Sequence, residues 1–197
     1  MSDRLRLLLL RHGTAVAGPP DPGLSAEGRS GVDASLRHPR LADWFRLDLL
    51  LYSPLRRAVE TAERVAVRLA PVHARAVPEL LPDTDADISG RLLIRAVSAA
   101  AFPEAVPDTH AASSELRDEL RDTHADPREA PEGDGCPPAR RVCVVGHLPL
   151  LPALGRWLCD AELDFATGCG WVLEGDPGLA WQGTFSRIGR VDHGGMW

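Results

Sequence analysis

The stretch Leu5-Arg6-Leu7-Leu8-Leu9-Leu10-Arg11-His12-Gly13-Thr14 sets the reading of everything around it. Its apolar run, Leu5–Leu10, has no helical period, and a Gly–Pro-rich segment (Gly18, Pro19, Pro20, Pro22, Gly23) follows it. This is the pattern of a buried strand running into a loop. A guanidinium and an imidazole, Arg11 and His12, stand where the strand stops.

Two further places repeat that design. Asp48–Tyr52 is a second buried strand, followed by Ser53-Pro54, which reads as a cap with proline at the first helical position. From Leu55 to Leu69 the apolar positions Leu55, Ala58, Val59, Ala62, Val65, Ala66 and Leu69 recur at three- and four-residue steps and predict a helix, with Arg56 and Arg57 on its first turn. Arg141–Val145 is a strong third strand that ends at Gly146-His147, and an apolar helix is expected over Leu148–Cys159, with Trp157 in the core. Between these lie a helix opened by Ser25 towards Trp44 and broken or kinked at Pro39, a weaker strand at His73–Val77, and a helix at Ile88–Ala101. Gly170–Leu173 and Ala180–Ile188 are candidate terminal strands.

Alternating strand, loop and helix predicts a three-layer α/β/α sandwich with a mostly parallel central sheet. The expected organisation is a single domain over residues 1–197. Residues 102–140, with six prolines and many acids, form a loop-rich insertion in it. A short amphipathic helix around Ser114–Asp122 and a loop over Pro127–Pro138 are expected there.

Composition excludes several classes. Hydrophobic residues make up 44% of the chain, enough for a core. The net charge of -6 comes without any Lys/Arg-rich block, so neither a nucleic-acid groove nor a polybasic membrane surface is expected. The apolar run ending at Arg11 is shorter than the ~7–15 residues of a signal-peptide core, and no run approaches the ~20 residues of a membrane span. Cys136, Cys143, Cys159 and Cys169 show neither a C-x-x-C pair nor zinc spacing with histidine. The expectation is a cytoplasmic protein with reduced thiols. His38, His73, His110, His124 and His193 follow no ligand spacing and read as surface residues.

In mostly parallel α/β sheets the site lies at the C-terminal ends of the strands. Arg11-His12, the Ser53–Arg57 segment and His147 all fall there. Arginine presents a planar donor fork that matches phosphate oxygens and stays charged at any working pH. Neutral imidazole is nucleophilic near pH 7 and can carry a phosphoryl group reversibly. Arg57, on a first helical turn, is expected to share its anion with the free N–H groups of the helix end.

These residues carry a family resemblance. Arg11-His12-Gly13-Thr14 resembles the RHG signature of the histidine phosphatase superfamily, the phosphoglycerate mutase-like proteins. Ser53-Pro54-Leu55-Arg56-Arg57-Ala58-Val59-Glu60-Thr61-Ala62 is similar to its S-P-x-x-R-A-x-x-T motif, and Leu24-Ser25-Ala26-Glu27-Gly28-Arg29 to its L-[ST]-x-x-G segment. Gly146-His147-Leu148-Pro149 and Pro78-Glu79-Leu80 resemble the SixA-like branch of phosphohistidine phosphatases. The likeness covers roughly residues 5–100 and 140–175.

The resemblance implies a phosphoglycerate mutase-like fold and a catalytic set of His12, Arg11, Arg57 and His147. His12 is then the nucleophile, and Arg11, Arg57 and His147 bind the transferred phosphoryl group. It implies no metal and no organic cofactor. Arg56 falls at a variable position and reads as a surface cation. Thr14 and Ser53 are supporting hydrogen-bonders, with helix capping the other reading of Ser53.

The chain departs from the wider family after its third strand. Where many members place an acid to protonate an alkoxide, this chain has Pro82, with Glu79 before it and Asp83 after. Missing a general acid, often worth ~10²–10⁴-fold, matters little when the leaving group is already good, as in phosphohistidine. The expected partner is therefore a phosphohistidine protein or a similar small phosphate compound. The alternatives are a phosphomonoesterase using Glu79 or Asp83 as its acid, and a non-catalytic phosphate-binding module. An arginine common before L-[ST]-x-x-G in the SixA-like branch is replaced by Pro22 or Gly23.

Overall fold

The computed structural model describes residues 4–18, 20–100, 140–176 and 181–193. Its elements in chain order are β1 (Leu5–Arg11), α1 (Ala26–Leu36), β2 (Leu49–Tyr52), α2 (Arg56–Leu69), β3 (His73–Ala76), α3 (Ala86–Ala100), β4 (Arg140–Gly146), α4 (Leu150–Cys159), β5 (Gly170–Gly175) and β6 (Ser186–Val191). Short 3-10 turns at Pro39–Leu41 and Pro78–Leu80 precede β2 and α3.

The strands form one sheet in the order β3-β2-β4-β1-β5-β6. β3, β2, β4 and β1 are parallel, while at the far side β5 runs antiparallel to β1 and β6 antiparallel to β5. β1 is nearly all leucine because it lies between β4 and β5 and both of its faces are covered. Leu5, Leu7 and Leu9 pack with α3 and α4 in one core, which also holds Leu92, Leu93, Leu150 and Leu154. Leu8 and Leu10 pack with α1 and α2 in the other, with Val32, Leu36, Ala62 and Val65. The expected sandwich is therefore present, with helices on both faces.

Several boundaries differ from expectation for local reasons. The first helix stops at Leu36, and Pro39 opens a 3-10 turn instead of kinking a longer helix. Ser53 does not cap α2; its hydroxyl accepts from Leu55 N–H at 3.4 Å, and the helix begins at Arg56. α3 starts two residues early because Asp85 accepts the backbone N–H of Asp87. α4 starts at Leu150, since the 148–149 segment forms a turn. Trp157 is half-buried and lies over Gly90, whose lack of a Cβ lets α3 approach α4.

The last strand is Ser186–Val191, displaced from the expected Ala180–Ile188. Trp181 and Phe185, which lent that segment its apolar character, fold against each other at 5.4 Å between rings, around a turn with Gly183 at positive φ. They are core residues without being strand residues. His38 and His193 are half-buried and His73 is exposed, whereas His110, His124, Cys136 and the features expected within 102–139 lie outside the described residues.

Candidate active site

Order in the sheet brings the site together. β2, β4 and β1 are neighbours, so their C-terminal ends lie within roughly 10 Å at ~4.8 Å per strand spacing. Just past β1, His12 N–H donates to Gly146 O at 3.1 Å and His12 O accepts from Gly168 N–H at 2.9 Å. The catalytic candidate is thus held by its backbone from both sides. Ser53, fully buried, closes the end of β2 by donating its N–H to Val145 O.

The two motif glycines have a steric cause. A Cβ on Gly13 would lie 2.6 Å from Gly28 O, and one on Gly28 would lie 2.0 Å from Thr14 O. The start of α1 therefore packs directly on the backbone that follows His12. Ser25 caps this helix by accepting Gly28 N–H at 2.9 Å.

His12 Nδ1 lies 2.8 Å from Gly13 O. A carbonyl can only accept, so Nδ1 carries the hydrogen and Nε2 keeps its lone pair. Arg57 Nε–H donates to that Nε2 at 3.3 Å. The His147 ring sits 4.8 Å from the His12 ring, centroid to centroid. His147 is 1% exposed, and neither of its ring nitrogens has a hydrogen-bond partner among the described residues. A buried, unpartnered imidazole is uncommon and calls for an explanation, such as a polar guest. The Arg11 guanidinium donates to Phe165 O at 2.8 Å, which anchors it beside the β1 end.

Electrostatics keep both imidazoles neutral. Burial, chiefly, lowers His12 to about 4; Arg57 and Arg11 push the same way against the Gly13 hydrogen bond. Burial lowers His147 to about 3, helped by His12, Arg57 and Arg11. Burial also lowers Arg11 from its ordinary value. Neutral His12 is the form that can attack phosphorus. Cationic guanidiniums beside neutral imidazoles favour an anionic guest. Among the described residues no group of three or more His, Cys, Asp and Glu is placed to hold a metal ion. No helix among them is long and apolar enough to cross a membrane.

Arg11, His12, Arg57 and His147 are thus brought together, and Glu79 is not joined to them. Glu79 is half-buried; its backbone carbonyl accepts from Ser89 Oγ, and its carboxylate makes no hydrogen bond or ion pair among the described residues. Arg56 behaves as a surface cation, paired with Glu60 at 2.9 Å. Thr14 Oγ1 meets Thr167 Oγ1 at 3.0 Å.

Two residues escaped the sequence reading. Thr61 Oγ1 accepts Gly13 N–H at 3.2 Å and donates to Arg57 O at 2.7 Å, so one hydroxyl ties the His12 loop to the Arg57 turn. Its place in the quoted motif was the available signal. Asp21 accepts Arg56 N–H at 3.0 and 3.1 Å and lies 3.9 Å from Arg57 Nη1. The helix end expected to serve the anion is partly taken. Asp21 takes the Arg56 N–H, and Leu55 O takes those of Ala58 and Val59.

Comparison with known proteins agrees with this geometry. The family model of the histidine phosphatase superfamily (branch 1) matches residues 7–81, which include Arg11, His12 and Arg57. That match spans 75 of the 197 residues. The fold neighbours agree along nearly the whole chain. The protein histidine phosphatase SixA complexed with tungstate is 20% identical, with a TM-score of 0.66 over 96% of this chain and 97% of that one. A mycobacterial glucosyl-3-phosphoglycerate phosphatase complexed with VO3 is 26% identical, with a TM-score of 0.52 over 94% and 98%. Phosphoglycerate mutase from Plasmodium falciparum is 13% identical, with a TM-score of 0.55 over 95% and 91%. The histidine phosphatase fold, phosphoglycerate mutase-like, therefore extends through β4, which carries His147, to the terminal strands. Among curated proteins none matches the sequence.

Proposed function

We propose that this histidine phosphatase hydrolyses phosphate compounds through a phosphohistidine at His12, on a phosphohistidine protein or a similarly activated small substrate. The observation that carries the proposal is the cluster at the strand ends: His12 Nε2 with its lone pair free of hydrogen, Arg57 at 3.3 Å, and His147 buried without a partner beside it.

The chemistry follows from that arrangement. Arg11, Arg57 and His147 bind the oxygens of the phosphoryl group, and Arg57 turns its Nε–H from His12 to the incoming anion. His12 Nε2 attacks phosphorus, forming the N–P bond as the bond to the leaving group breaks. Water then attacks the same phosphorus, the N–P bond breaks, and its electron pair returns to Nε2. Phosphate leaves with the oxygen of water. The guanidiniums stabilise charge on the transferring oxygens in both steps. A leaving imidazole needs no strong acid, in keeping with a Glu79 carboxylate that makes no hydrogen bond or ion pair among the described residues.

Asp83 supports a second reading. With Thr84, Asp85 and Pro149 it lines a cavity of about 380 Å³ beyond the turn that follows His147. The glucosyl-3-phosphoglycerate phosphatase among the fold neighbours hydrolyses, by its name, a phosphate ester. In this reading Asp83 protonates an alkoxide. Turnover of a phosphohistidine peptide, p-nitrophenyl phosphate and a sugar phosphate separates the two. Preference for the phosphohistidine peptide, insensitive to Asp83→Asn, supports the first. Faster turnover of the sugar phosphate, lost in Asp83→Asn, replaces it with the second.

A further inference from the structure

α2 begins without a side-chain cap of its own, since its N-cap residue is Leu55. A distant carboxylate fills the place. Asp21 accepts Arg56 N–H through both oxygens, and it is the one carboxylate among the described residues within 4 Å of the Arg57 guanidinium. Its loop is fixed independently of that contact. Val16 N–H donates to Gly23 O at 3.0 Å, Ala15 bridges Leu24, and Leu24 N–H donates to Glu60 Oε2 at 2.7 Å. Gly23 lies so close to Glu60 that a Cβ would meet Oε1 at 2.3 Å. Glu60 in turn is held by Arg56 and Arg29. A negative charge is therefore built into the edge of a pocket whose other charged members, Arg11 and Arg57, are cations.

We propose that Asp21 is a charge brake on the phosphate pocket, offsetting part of the attraction of Arg57 and of the α2 N-terminus so that phosphate is held less tightly and leaves sooner. The proposal rests on the reading of the pocket as a phosphate site. A carboxylate at the helix end satisfies the dipole that an incoming phosphate would otherwise use. It also repels the dianion. Asp21 is half-exposed, and solvent screening keeps the effect modest. Asp21 is a positioning and tuning residue; it touches no reacting atom.

The test is direct binding of inorganic phosphate, followed by calorimetry, to the full chain and to Asp21→Asn, Asp21→Ala and Arg57→Ala. Asparagine keeps an oxygen for Arg56 N–H and removes only the charge. Asp21→Asn is expected to bind phosphate about two- to fivefold more tightly with an unchanged melting temperature. The gap is expected to narrow at high salt, which a purely structural role would not produce. Asp21→Ala is expected to tighten binding equally while melting lower, through loss of the cap. Unchanged or weaker binding in Asp21→Asn, with Arg57→Ala still impaired, overturns the brake and leaves the pocket standing. Failure of Arg57→Ala to weaken phosphate binding overturns the pocket and the brake with it.

Discussion

Replacing Thr61 by valine removes one hydroxyl, keeps the shape of the side chain, and tests how the site is assembled. That hydroxyl is fully buried and joins Gly13 N–H to Arg57 O. Without it Gly13 N–H is left buried and unpaired, which costs about 1–3 kcal/mol. For a chain of this size 1 kcal/mol corresponds to about 2–4 °C in melting temperature, so Thr61→Val is expected to melt roughly 2–12 °C lower. The second effect is catalytic. Gly13 O holds the His12 tautomer, and the Arg57 backbone loses its tie to the same loop, so kcat should fall roughly tenfold or more, as expected for misplaced reacting groups. Thr61→Ser keeps the hydroxyl and should recover most of kcat. The assay pairs a thermal melt with steady-state kinetics on p-nitrophenyl phosphate. Wild-type melting and kcat in Thr61→Val would refute the reasoning, and so would equal losses in the serine and valine variants.

Other predictions follow the same geometry. Arg57→Ala should lower kcat/KM by about a hundredfold or more, whereas Arg56→Ala, whose guanidinium pairs with Glu60, should stay within a few-fold; equal losses in the kinetics would mean that the second motif is misplaced. Gly13→Ala should fail to fold or lose activity outright, read by circular dichroism, because its Cβ would press on Gly28 O at 2.6 Å. His12 and His147 have folded-state values of about 4 and about 3, below their ordinary 6.5, so the unfolded chain binds more protons between those limits. Stability should therefore be complete above pH 6.5 and fall as the pH drops through about 4, by on the order of 3 kcal/mol for His12 alone. Denaturant melts across that range check the sign, and His12→Gln should flatten the slope. EDTA should leave turnover unchanged; inhibition reversed by a divalent metal would contradict a catalytic step carried by His12 alone.

The candidate site residues were legible because each follows a central strand or opens the helix after it, and such strands announce themselves by apolar runs. Leu5–Leu10, Asp48–Tyr52 and Arg141–Val145 read as strands to within about a residue of the observed bounds, since both faces of a central strand are buried. The edges were harder. β3 is exposed at every residue, and β6 at half of its residues, so little apolar pattern marked them. Trp181 and Phe185 looked like strand because they are apolar, but their burial comes from a turn folding back on the core. Asp21 was invisible for a different reason. It caps a helix that begins 35 residues later, and local capping rules see only neighbours in sequence. The role of Thr61 likewise needs two loops in contact before its hydroxyl has partners.

The account depends most on His12 carrying phosphorus. Rapid quench of the enzyme with excess p-nitrophenyl phosphate, under conditions that preserve phosphoramidates, followed by peptide mass spectrometry, reads this directly. A phosphoryl group on His12, absent from His12→Ala and hydrolysed at a rate compatible with turnover, is the predicted result. Turnover that leaves His12 unlabelled, or a label on another residue that persists in His12→Ala, would contradict it.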